Sequence, residues 1–464
     1  MKDVTAAEAI CLRGCGQSQV QQIARDYQQM SVGAIANLAA VEDTKAKTTM
    51  KMNNLELEAI EYLRTPSTIR EKCDRLFNLA CEDKLRYFRI DLTQLDKAAN
   101  YVIDVIREQY PDFNIPFHSR WRHFEVGEIP RMAELDKILA QLTPINKAKV
   151  KFDLAIISVL LDAGAGTNWE YSEQETGQVY RRSEGLAVAS FRMFCQGIFS
   201  SNPDFPFQAD AVALSQLKLQ TLATGLQVNQ NNHLVGLEGR LELLQRLGKV
   251  LSQNPLLFGN ENPRPGNLAQ YLHDSKRSGM MTIEAAEVLS AVLTGFGEIW
   301  PGRYTISGVN LGDVWSHPAL QGQNLSDGYI PFHKLSQWLT YSLLEPLQEL
   351  GLEVIALDEL TGLPEYRNGG FCLDIGLLKV KDTAIFQQAH LPGSEIIVEW
   401  RALTAKLLDK IAELIRKKLN LTTAELPLVK ILQGGTWTAG RKIAAELRVG
   451  GVPPIQIESD GTVF

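Results

Sequence analysis

Side chains that can do chemistry are concentrated in the stretch FHSRWRHFEVG, which begins at Phe117. Arg120 and Arg122 offer the planar guanidinium fork that matches phosphate oxygens. Their neighbours His118 and His123 can add donors, and Trp121 can supply a flat wall for a sugar or a ureide. The stretch therefore predicts a binding site for a phosphorylated small molecule. A buried structural network of arginine and glutamate is the competing interpretation.

Asp162 opens a second candidate site, in the motif LDAGAG. The motif follows an apolar run, but a dinucleotide-binding fingerprint needs a third glycine where this chain has Trp169, and the sequence contains no P-loop motif. Glycines that turn the backbone after a helix explain the motif better. An acid at the mouth of such a turn, followed by Trp169 and Tyr171, is typical of loops that hold ligands.

A third candidate is GLPEYRNGGFCLDIGLL, which places Glu365, Tyr366 and Arg367 before a double glycine and Asp374 after it. One interpretation is a solvated loop with a local Glu–Arg pair, which stabilises little. The other is a carboxylate held beside a substrate. The sequence leaves both open.

Two further motifs lie near the C-terminus. In VEWRAL, Glu399 and Arg401 flank a tryptophan, which suits either a ligand site or an exposed salt-bridge face. In LQGGTWTAGRKIAAEL, glycines precede Thr436 and a helical segment that carries Arg441. Free backbone N–H groups at such a helix start would suit a phosphate.

The composition limits the function classes. The 464 residues are 45% hydrophobic and 22% charged, as in an ordinary globular protein, and the net charge is −7. This charge argues against a general nucleic-acid or anionic-membrane partner. No run of about 18 apolar residues predicts a membrane span, and the first residues lack the apolar core of a signal peptide.

Cysteine and histidine usage argues against a metal or a disulfide framework. The six cysteines form no C-x-x-C pair and predict reduced thiols in a cytoplasmic protein. No H-E-x-x-H motif occurs, and His118 and His123 are five residues apart, which does not align ligands on one helix face. We therefore expect neither a catalytic metal nor a cofactor.

The elements that must position these residues are mostly helices. The stretch SEIIVEWRALTAKLLDKIAELIRKKL has apolar residues at the spacing of one buried helix face, with Ser394 as its N-cap. Similar stripes occur in EGRLELLQRLGKVLSQ, TIEAAEVLSAVLTGFG and HKLSQWLTYSLLEPLQELG, the last with Pro346 inside and Gly351 as a stop. Strand candidates are RYFRIDL, LEVIAL and a tail hairpin in PPIQIESDGTVF. The predicted class is mainly α, with residues 1–54 as an N-terminal extension and 55–464 as the catalytic domain.

Several motifs resemble one family: YPDFNIPFHSRWRHFEVG, LLDAGAGTNWEY, EGLAVASFRMF, VEWRALTAKLLD, LQGGTWTAGRKIAAELR and SDGTVF. It is the uncharacterised-domain family of the uracil-catabolism (URC) pathway, also described as induced by uracil. The resemblance implies a cytosolic role in non-reductive uracil breakdown. It further implies cleavage of the N-glycosidic bond between urea and ribose or ribose phosphate.

A second resemblance is to the queuosine-salvage nucleosidases, which are largely helical with a core like that of the helix-hairpin-helix DNA glycosylases. Its Asp-Tyr-Arg motif corresponds here to Glu365 and the two residues after it, so an aspartate is replaced by a glutamate. Its Glu-x-Arg motif matches Glu399 and Arg401, and its acid before an aromatic loop matches Asp162. Here Gly369 and the glycine after it replace a more apolar region of that family.

These patterns and resemblances together predict a metal-independent hydrolase of ribosylurea or its phosphate. Asp162 and Glu365 are the expected catalytic acids, with Asp374 in reserve; Tyr366, Arg367, Glu399 and Arg401 belong to the expected binding set. A metal-dependent amidohydrolase of a ureide and a non-catalytic nucleotide-binding protein are the alternatives. The sequence leaves the oligomeric state open.

Overall fold

The computed structural model describes residues 53–166, 168–276 and 281–458. The chain divides into two compact units, Met1–Leu57 and Glu58–Phe464. The predicted extension at 1–54 lies almost wholly outside the described residues, so that division stays a prediction. Apart from the first four residues of the helix Asn54–Leu63, the features below belong to the second unit. Within the described ranges, no helix is both long and apolar enough to cross a bilayer.

Helices dominate the described chain, which confirms the predicted mainly α class. The α-helices are α1 (Asn54–Leu63), α2 (Pro66–Cys81), α3 (Leu95–Gln109), α4 (Trp121–Phe124), α5 (Arg131–Ile138), α6 (Pro144–Leu160), α7 (Arg182–Cys195), α8 (Ala211–Ser215), α9 (Leu219–Gly225), α10 (Leu237–Gln253), α11 (Pro255–Phe258), α12 (Asn267–Asp274), α13 (Ala285–Phe296), α14 (Lys334–Glu349), α15 (Tyr366–Asp374), α16 (Glu395–Leu419), α17 (Leu428–Ile431) and α18 (Trp437–Leu447). The core like that of the DNA glycosylases stays a prediction.

The strands are short and pair only two by two within the described residues. They are β1 (Phe88–Ile90), β2 (Glu170–Ser172), β3 (Val179–Arg181), β4 (Thr282–Glu284), β5 (Thr305–Ile306), β6 (Val309–Asn310), β7 (Val314–Ser316), β8 (Tyr329–Pro331), β9 (Glu353–Ile355), β10 (Leu378–Val380), β11 (Ala389–His390) and β12 (Gln456–Ile457). Antiparallel pairs are β1–β10, β2–β3, β5–β6 and β7–β8; parallel pairs are β4–β9 and β11–β12. The two-stranded sheets therefore connect segments between the helices and do not form a central sheet.

Two helices, α6 and α14, form the centre of the second unit. Residues 150–160 of α6 and 335–344 of α14 are buried on every side, and the two helices pack against each other. A helix that is buried all round is a core element. Because its polar residues cannot face water, small hydroxyl groups such as Ser158 and Ser342 are available as internal hydrogen-bond partners.

The segment that carries Glu365 is clamped between α16 and α18 by close helix packing. A Cβ atom on Gly369 would lie 2.7 Å from the Trp400 ring of α16. A Cβ atom on Gly440 of α18 would collide with the Arg367 carbonyl. Only glycine permits this approach, so α15 and the acid that precedes it are fixed against two neighbours.

Candidate active site

The predicted acids Asp162 and Glu365 each directly precede residues that line one cavity. Its volume is about 400 Å³, within the range of small-molecule sites. One wall begins at Ala163, directly after Asp162, and another begins at Tyr366, directly after Glu365. The remaining walls come from the start of α7 and from the C-terminal segment. The lining residues are Ala163, Gly164, Ala165, Gly166, Arg182, Ser183, Val235, Tyr366, Arg367, Val452, Pro453, Ile455, Gln456 and Ile457.

Asp162 is held by Arg120. The distance from Arg120 Nη1 to Asp162 Oδ2 is 2.9 Å, and the two side chains are 0% and 5% exposed. Arg120 Nε also donates to the hydroxyl of Ser158, and Nη1 to the carbonyl of Ser183. The pairing fixes one carboxylate oxygen of Asp162, while Oδ1 has no partner among the described residues. That oxygen is available to a ligand.

Glu365 is the N-cap of α15. Its two carboxylate oxygens accept the backbone N–H groups of Arg367 and Asn368, at 2.5 and 2.6 Å. Burial raises the pKa of Glu365, although those two N–H groups and the charge of Lys334 oppose the shift. A glutamate whose pKa is raised by burial can serve as a proton donor. The guanidinium of Arg367 bonds to the carbonyl of Gly451, so the anticipated local pair between these two side chains is absent.

The charge of Lys334, a residue that no sequence motif indicated, interacts with the charges of both acids. Burial lowers the pKa of Lys334, and the charges of Glu365 and Asp162 oppose that shift. The residue before it, His333, has a φ of +46°, a left-handed conformation that is uncommon for residues other than glycine. Such backbone conformations cluster at functional sites. The available sequence signal was a lysine at the start of an otherwise apolar helix.

Aromatic rings surround His118 and His123. The His123 ring centroid lies 5.7 Å from the centroids of both Trp338 and Trp437, and His118 lies 6.4 and 5.9 Å from them. Burial lowers the pKa of each histidine to about 4. Both are therefore neutral at physiological pH. They can act as hydrogen-bonding groups but not as cations for a phosphate.

Several buried polar atoms near the cavity have no hydrogen-bond partner among the described residues. Buried side-chain polar atoms normally have a hydrogen-bond partner, so each exception needs a reason. Within the described ranges, six such atoms lie in or next to the elements around the cavity: Arg120 Nη2, Asp162 Oδ1, Trp338 Nε1, Asn368 Oδ1, Trp400 Nε1 and Thr436 Oγ1. Trp338, Asn368 and Trp400 were not among the predicted site residues.

Three predicted aromatic or cationic residues bind groups other than Asp162. Arg122 pairs with Glu345 at 2.7 Å, so the two arginines of the opening motif bind different carboxylates. Trp121 is buried and donates its Nε1–H to the carbonyl of Ser342. Arg441 pairs with Glu184, and its guanidinium lies 4.8 Å from the ring centre of Trp437.

Trp169 and Tyr171 occupy other places. Trp169 is fully buried and donates its Nε1–H to the carbonyl of Leu226. Tyr171 lines a separate cavity of about 500 Å³ beside the end of α9. Neither is among the residues that line the cavity at Asp162.

Glu399, Arg401 and Asp374 are engaged in structural contacts. The carboxylate of Glu399 accepts the backbone N–H groups of residues 86 and 87, at 3.1 and 3.0 Å. Arg401 forms two hydrogen bonds with Asp313, at 2.8 and 2.7 Å. Asp374 forms two with Arg448, at 2.8 and 2.5 Å. These contacts tie α15 and α16 to their neighbouring segments.

The glycines before Thr436 are not a free helix start, which corrects one expectation. Residues Leu428–Ile431 are α-helical, Leu432–Thr436 form a π-helical turn, and α18 follows without interruption. Thr436 itself has helical φ and ψ of −66° and −39°. Because the helix continues through the glycines, their N–H groups do not form an exposed helix end. The anticipated phosphate site there does not exist in this form.

One cluster of possible metal ligands occurs in the described residues: His317, Glu395 and Glu399. The Nδ1 atom of His317 accepts the N–H group of Ala319 at 3.2 Å. A neutral ring then carries its proton on Nε2, the atom that faces Glu399 at 3.7 Å. A metal-binding Nε2 carries no proton, so this tautomer does not suit a cation, and Nε2 has no hydrogen-bond partner among the described residues.

Comparison with known proteins places the chain in a family. The model of the family described as "Protein of unknown function (DUF1688)" matches residues 62–464. The chain belongs to this family. It is 40% identical over 418 residues to Protein urg3 of Schizosaccharomyces pombe, covering 88% of this chain and all of that protein. It is 37% identical over 437 residues to Uracil catabolism protein 4 of Lachancea kluyveri, covering 87% of this chain and 99% of that protein.

Membership of the DUF1688 family confirms the first resemblance read from the sequence. The matched range contains every predicted site residue, from His118 to Arg441. The more distant likeness to the queuosine-salvage nucleosidases stays a prediction.

Proposed function

We propose that this DUF1688 protein acts in uracil catabolism, in the cytoplasm, as an N-glycosyl hydrolase of ribosylurea or its phosphate. The observation that carries the proposal is a cavity lined by the residues that directly follow Asp162 and Glu365, together with a lysine, Lys334, whose charge interacts with both acids. The name of Uracil catabolism protein 4 supports the pathway, since that relative is matched over nearly its full length. The residues at the cavity support the reaction.

The reaction has simple requirements. The bond between the urea nitrogen and C1′ of ribose breaks, the oxygen of water bonds to C1′, and the leaving nitrogen takes a proton. Positive charge develops on the ribose ring and negative charge on the departing nitrogen. A fixed carboxylate stabilises the first, and an acid neutralises the second.

Asp162 is suited to the ribose side. Its Oδ2 is bound to Arg120, which keeps the carboxylate in place, and its Oδ1 has no partner among the described residues. A preorganised charge of this kind stabilises an oxocarbenium-like transition state without rearranging during the reaction. The same oxygen can orient the attacking water.

Glu365 is suited to the leaving group. Its raised pKa favours a protonated form that can donate to the urea nitrogen. Lys334 would then stabilise the glutamate that remains after the transfer, because its charge interacts with that carboxylate. Once urea has left, a proton from the attacking water restores the acid. The neutral His118 and the unpartnered indole N–H of Trp338 supply polar contacts without added charge.

Incubating the purified chain with ribosylurea, ribosylurea 5′-phosphate and N-carbamoyl-β-alanine tests the proposal. We expect urea and the free sugar from one or both ribosyl compounds, and no ammonia from the ureide that lacks ribose. The rate should be insensitive to EDTA. Ammonia release that EDTA abolishes would instead establish the amidohydrolase alternative. Folded protein that binds these compounds but converts none would contradict the hydrolase.

A further inference from the structure

The glycine loop after α6 has its carbonyl groups turned to one side by a buried arginine. Arg240 is 0% exposed. Its Nε donates to the carbonyl of Leu161 at 2.9 Å, and Nη2 donates to those of Ala163 and Gly164 at 2.5 and 3.2 Å. The carbonyl of Ala165 accepts the N–H of Val235 at 3.4 Å. Four carbonyl groups of this segment therefore already accept hydrogen bonds from the protein.

The amide groups of the same loop are left without acceptors. In the described part of the chain, the N–H groups of Gly164, Ala165 and Gly166 donate to no protein atom, and these residues line the cavity. Successive backbone N–H groups in a turn can bind an anion when they converge on it. Glycine suits such a loop because it lets a ligand approach the backbone closely.

Two arginines that line the cavity have no carboxylate partner within the described ranges. Arg182 and Arg367 both line the cavity, and their guanidinium groups bond to the carbonyls of Gly450 and Gly451, at 3.3 and 2.7 Å. Neither forms an ion pair with a carboxylate within the described ranges, whereas most buried arginines of this chain do. Their positive charges therefore remain available to a bound anion.

A separate observation points to the same place. Arg120 is 0% exposed and its Nη2 atom has no partner among the described residues. Its Nη1 atom bonds to Asp162 and to the carbonyl of Ser183, which lines the cavity. A buried, unpartnered guanidinium nitrogen beside the wall is costly unless a ligand satisfies it.

We propose that the loop 163–166, together with Arg182 and Arg367, binds the phosphate monoester of a ribosyl substrate. This inference rests on the proposed function and extends it, because it selects the phosphorylated form as the substrate. Phosphate would accept from the loop amides and from the guanidinium forks, which match its oxygens. The ribose then lies between this subsite and the two acids. The phosphate contact is thereby assigned to groups other than Arg122, which is occupied by Glu345.

Calorimetric binding of ribose 5-phosphate, ribose and inorganic phosphate tests the subsite without relying on catalysis. We expect the wild-type chain to bind ribose 5-phosphate at least about tenfold more tightly than ribose. Arg182→Gln and Arg367→Gln should each weaken ribose 5-phosphate by about 10- to 100-fold. The matched control is Arg181→Gln, whose side chain is 67% exposed on a surface pair with Glu170; we expect its affinity to stay within about twofold.

The outcomes separate this inference from the proposed function. If ribose 5-phosphate binds in a way that depends on the two arginines but no urea is released, the phosphate subsite is supported and the proposed hydrolase activity is contradicted. Equal kcat/KM for ribosylurea and its 5′-phosphate would support the hydrolase and overturn the subsite. Equal wild-type affinity for ribose and ribose 5-phosphate would also overturn it, and that comparison needs no variant. Binding of inorganic phosphate that neither arginine variant weakens would do the same.

Discussion

Arg120 and Asp162 form a salt bridge whose two side chains are 0% and 5% exposed, with 2.9 Å between Nη1 and Oδ2. An isolated charge in such a place is strongly unfavourable, so each group depends on the other. The pair joins the segment around α4 to the loop that follows α6. It therefore connects the stability of the fold to the position of the expected catalytic carboxylate.

Replacing Arg120 should destabilise the protein far more than replacing Arg122. Arg120→Met leaves Asp162 buried without its counter-ion, which costs about 3–5 kcal/mol in other proteins. Arg122 pairs with Glu345 at a partly exposed site, with side chains 26% and 24% exposed, so Arg122→Met should cost about 1 kcal/mol or less. Urea denaturation of both variants measures the difference. Equal losses would show that the buried pair stabilises the fold no more than the partly exposed one.

Acid should destabilise the fold through His118 and His123. Burial holds the pKa of each at about 4, below the ordinary 6.5. Between these values the unfolded chain binds protons that the folded chain excludes, so stability is fully present above pH 6.5 and falls as the pH drops toward 4. Each histidine contributes a slope of up to about 1.4 kcal/mol per pH unit.

The measurement is the free energy of unfolding against pH for the wild type and for His123→Gln. Arg120, Asp162 and Glu184 all interact electrostatically with His123. Glutamine is chosen because it can form hydrogen bonds among these charged groups but does not titrate. We expect a shallower loss below pH 6.5 and parallel curves above pH 7. Identical slopes below pH 6.5 would mean that His123 is protonated alike in both states.

Close packing of the π-helical turn gives a third prediction. A Cβ atom on Gly435 would collide with Val102 of α3, whereas one on Gly302 meets nothing within 4 Å. Gly435→Ala should therefore destabilise the fold by about 1–3 kcal/mol through overpacking. Gly302→Ala is the control and should leave the melting temperature unchanged or slightly raised. A neutral Gly435→Ala variant would show that α3 can move aside at little cost.

The helices were the most predictable part of this structure. Helix α16 was predictable because its apolar residues repeat at helical spacing. Ile397, Leu403 and Leu407 of this predicted face are buried in the structure. Strands β1 and β9 lie inside the predicted runs. The tail was harder, since β12 pairs in parallel with the distant β11, and sequence patterns carry no information on such pairing. The anticipated turn at residues 460 and 461 lies outside the described residues.

The site was predictable in part, for a physical reason. Asp162 and Glu365 stood out because acids in glycine-rich, aromatic loops have no packing role. Lys334 did not stand out, because a lysine in the first turn of an amphipathic helix is ordinary on the surface. Its neighbours are brought to it only by the packing of α14 against distant segments. Arg182 and Arg240 were missed for the same reason.

The final prediction concerns the two acids. Asp162→Asn and Glu365→Gln keep the shape of the side chains and remove the charge or the proton that the transition state needs. Each variant should still bind ribosylurea compounds, yet lose turnover by about 10²-fold or more, as is typical when acid–base assistance is removed. Groups that act as a unit are not additive, so the double variant should be little worse than the poorer single one.

Single-turnover urea release, run beside a thermal melt, measures all three variants. Asp204→Asn and Glu413→Gln are matched controls on exposed positions, and they should retain wild-type rates. Asp374→Asn is the informative comparison, because Asp374 forms two hydrogen bonds with Arg448. It should lower the melting temperature and reduce turnover much less than Asp162→Asn does. If both acid variants keep rates within a few-fold of the wild type while Asp374→Asn loses activity without loss of stability, the catalytic carboxylate is Asp374. The assignment of Asp162 and Glu365 is then wrong.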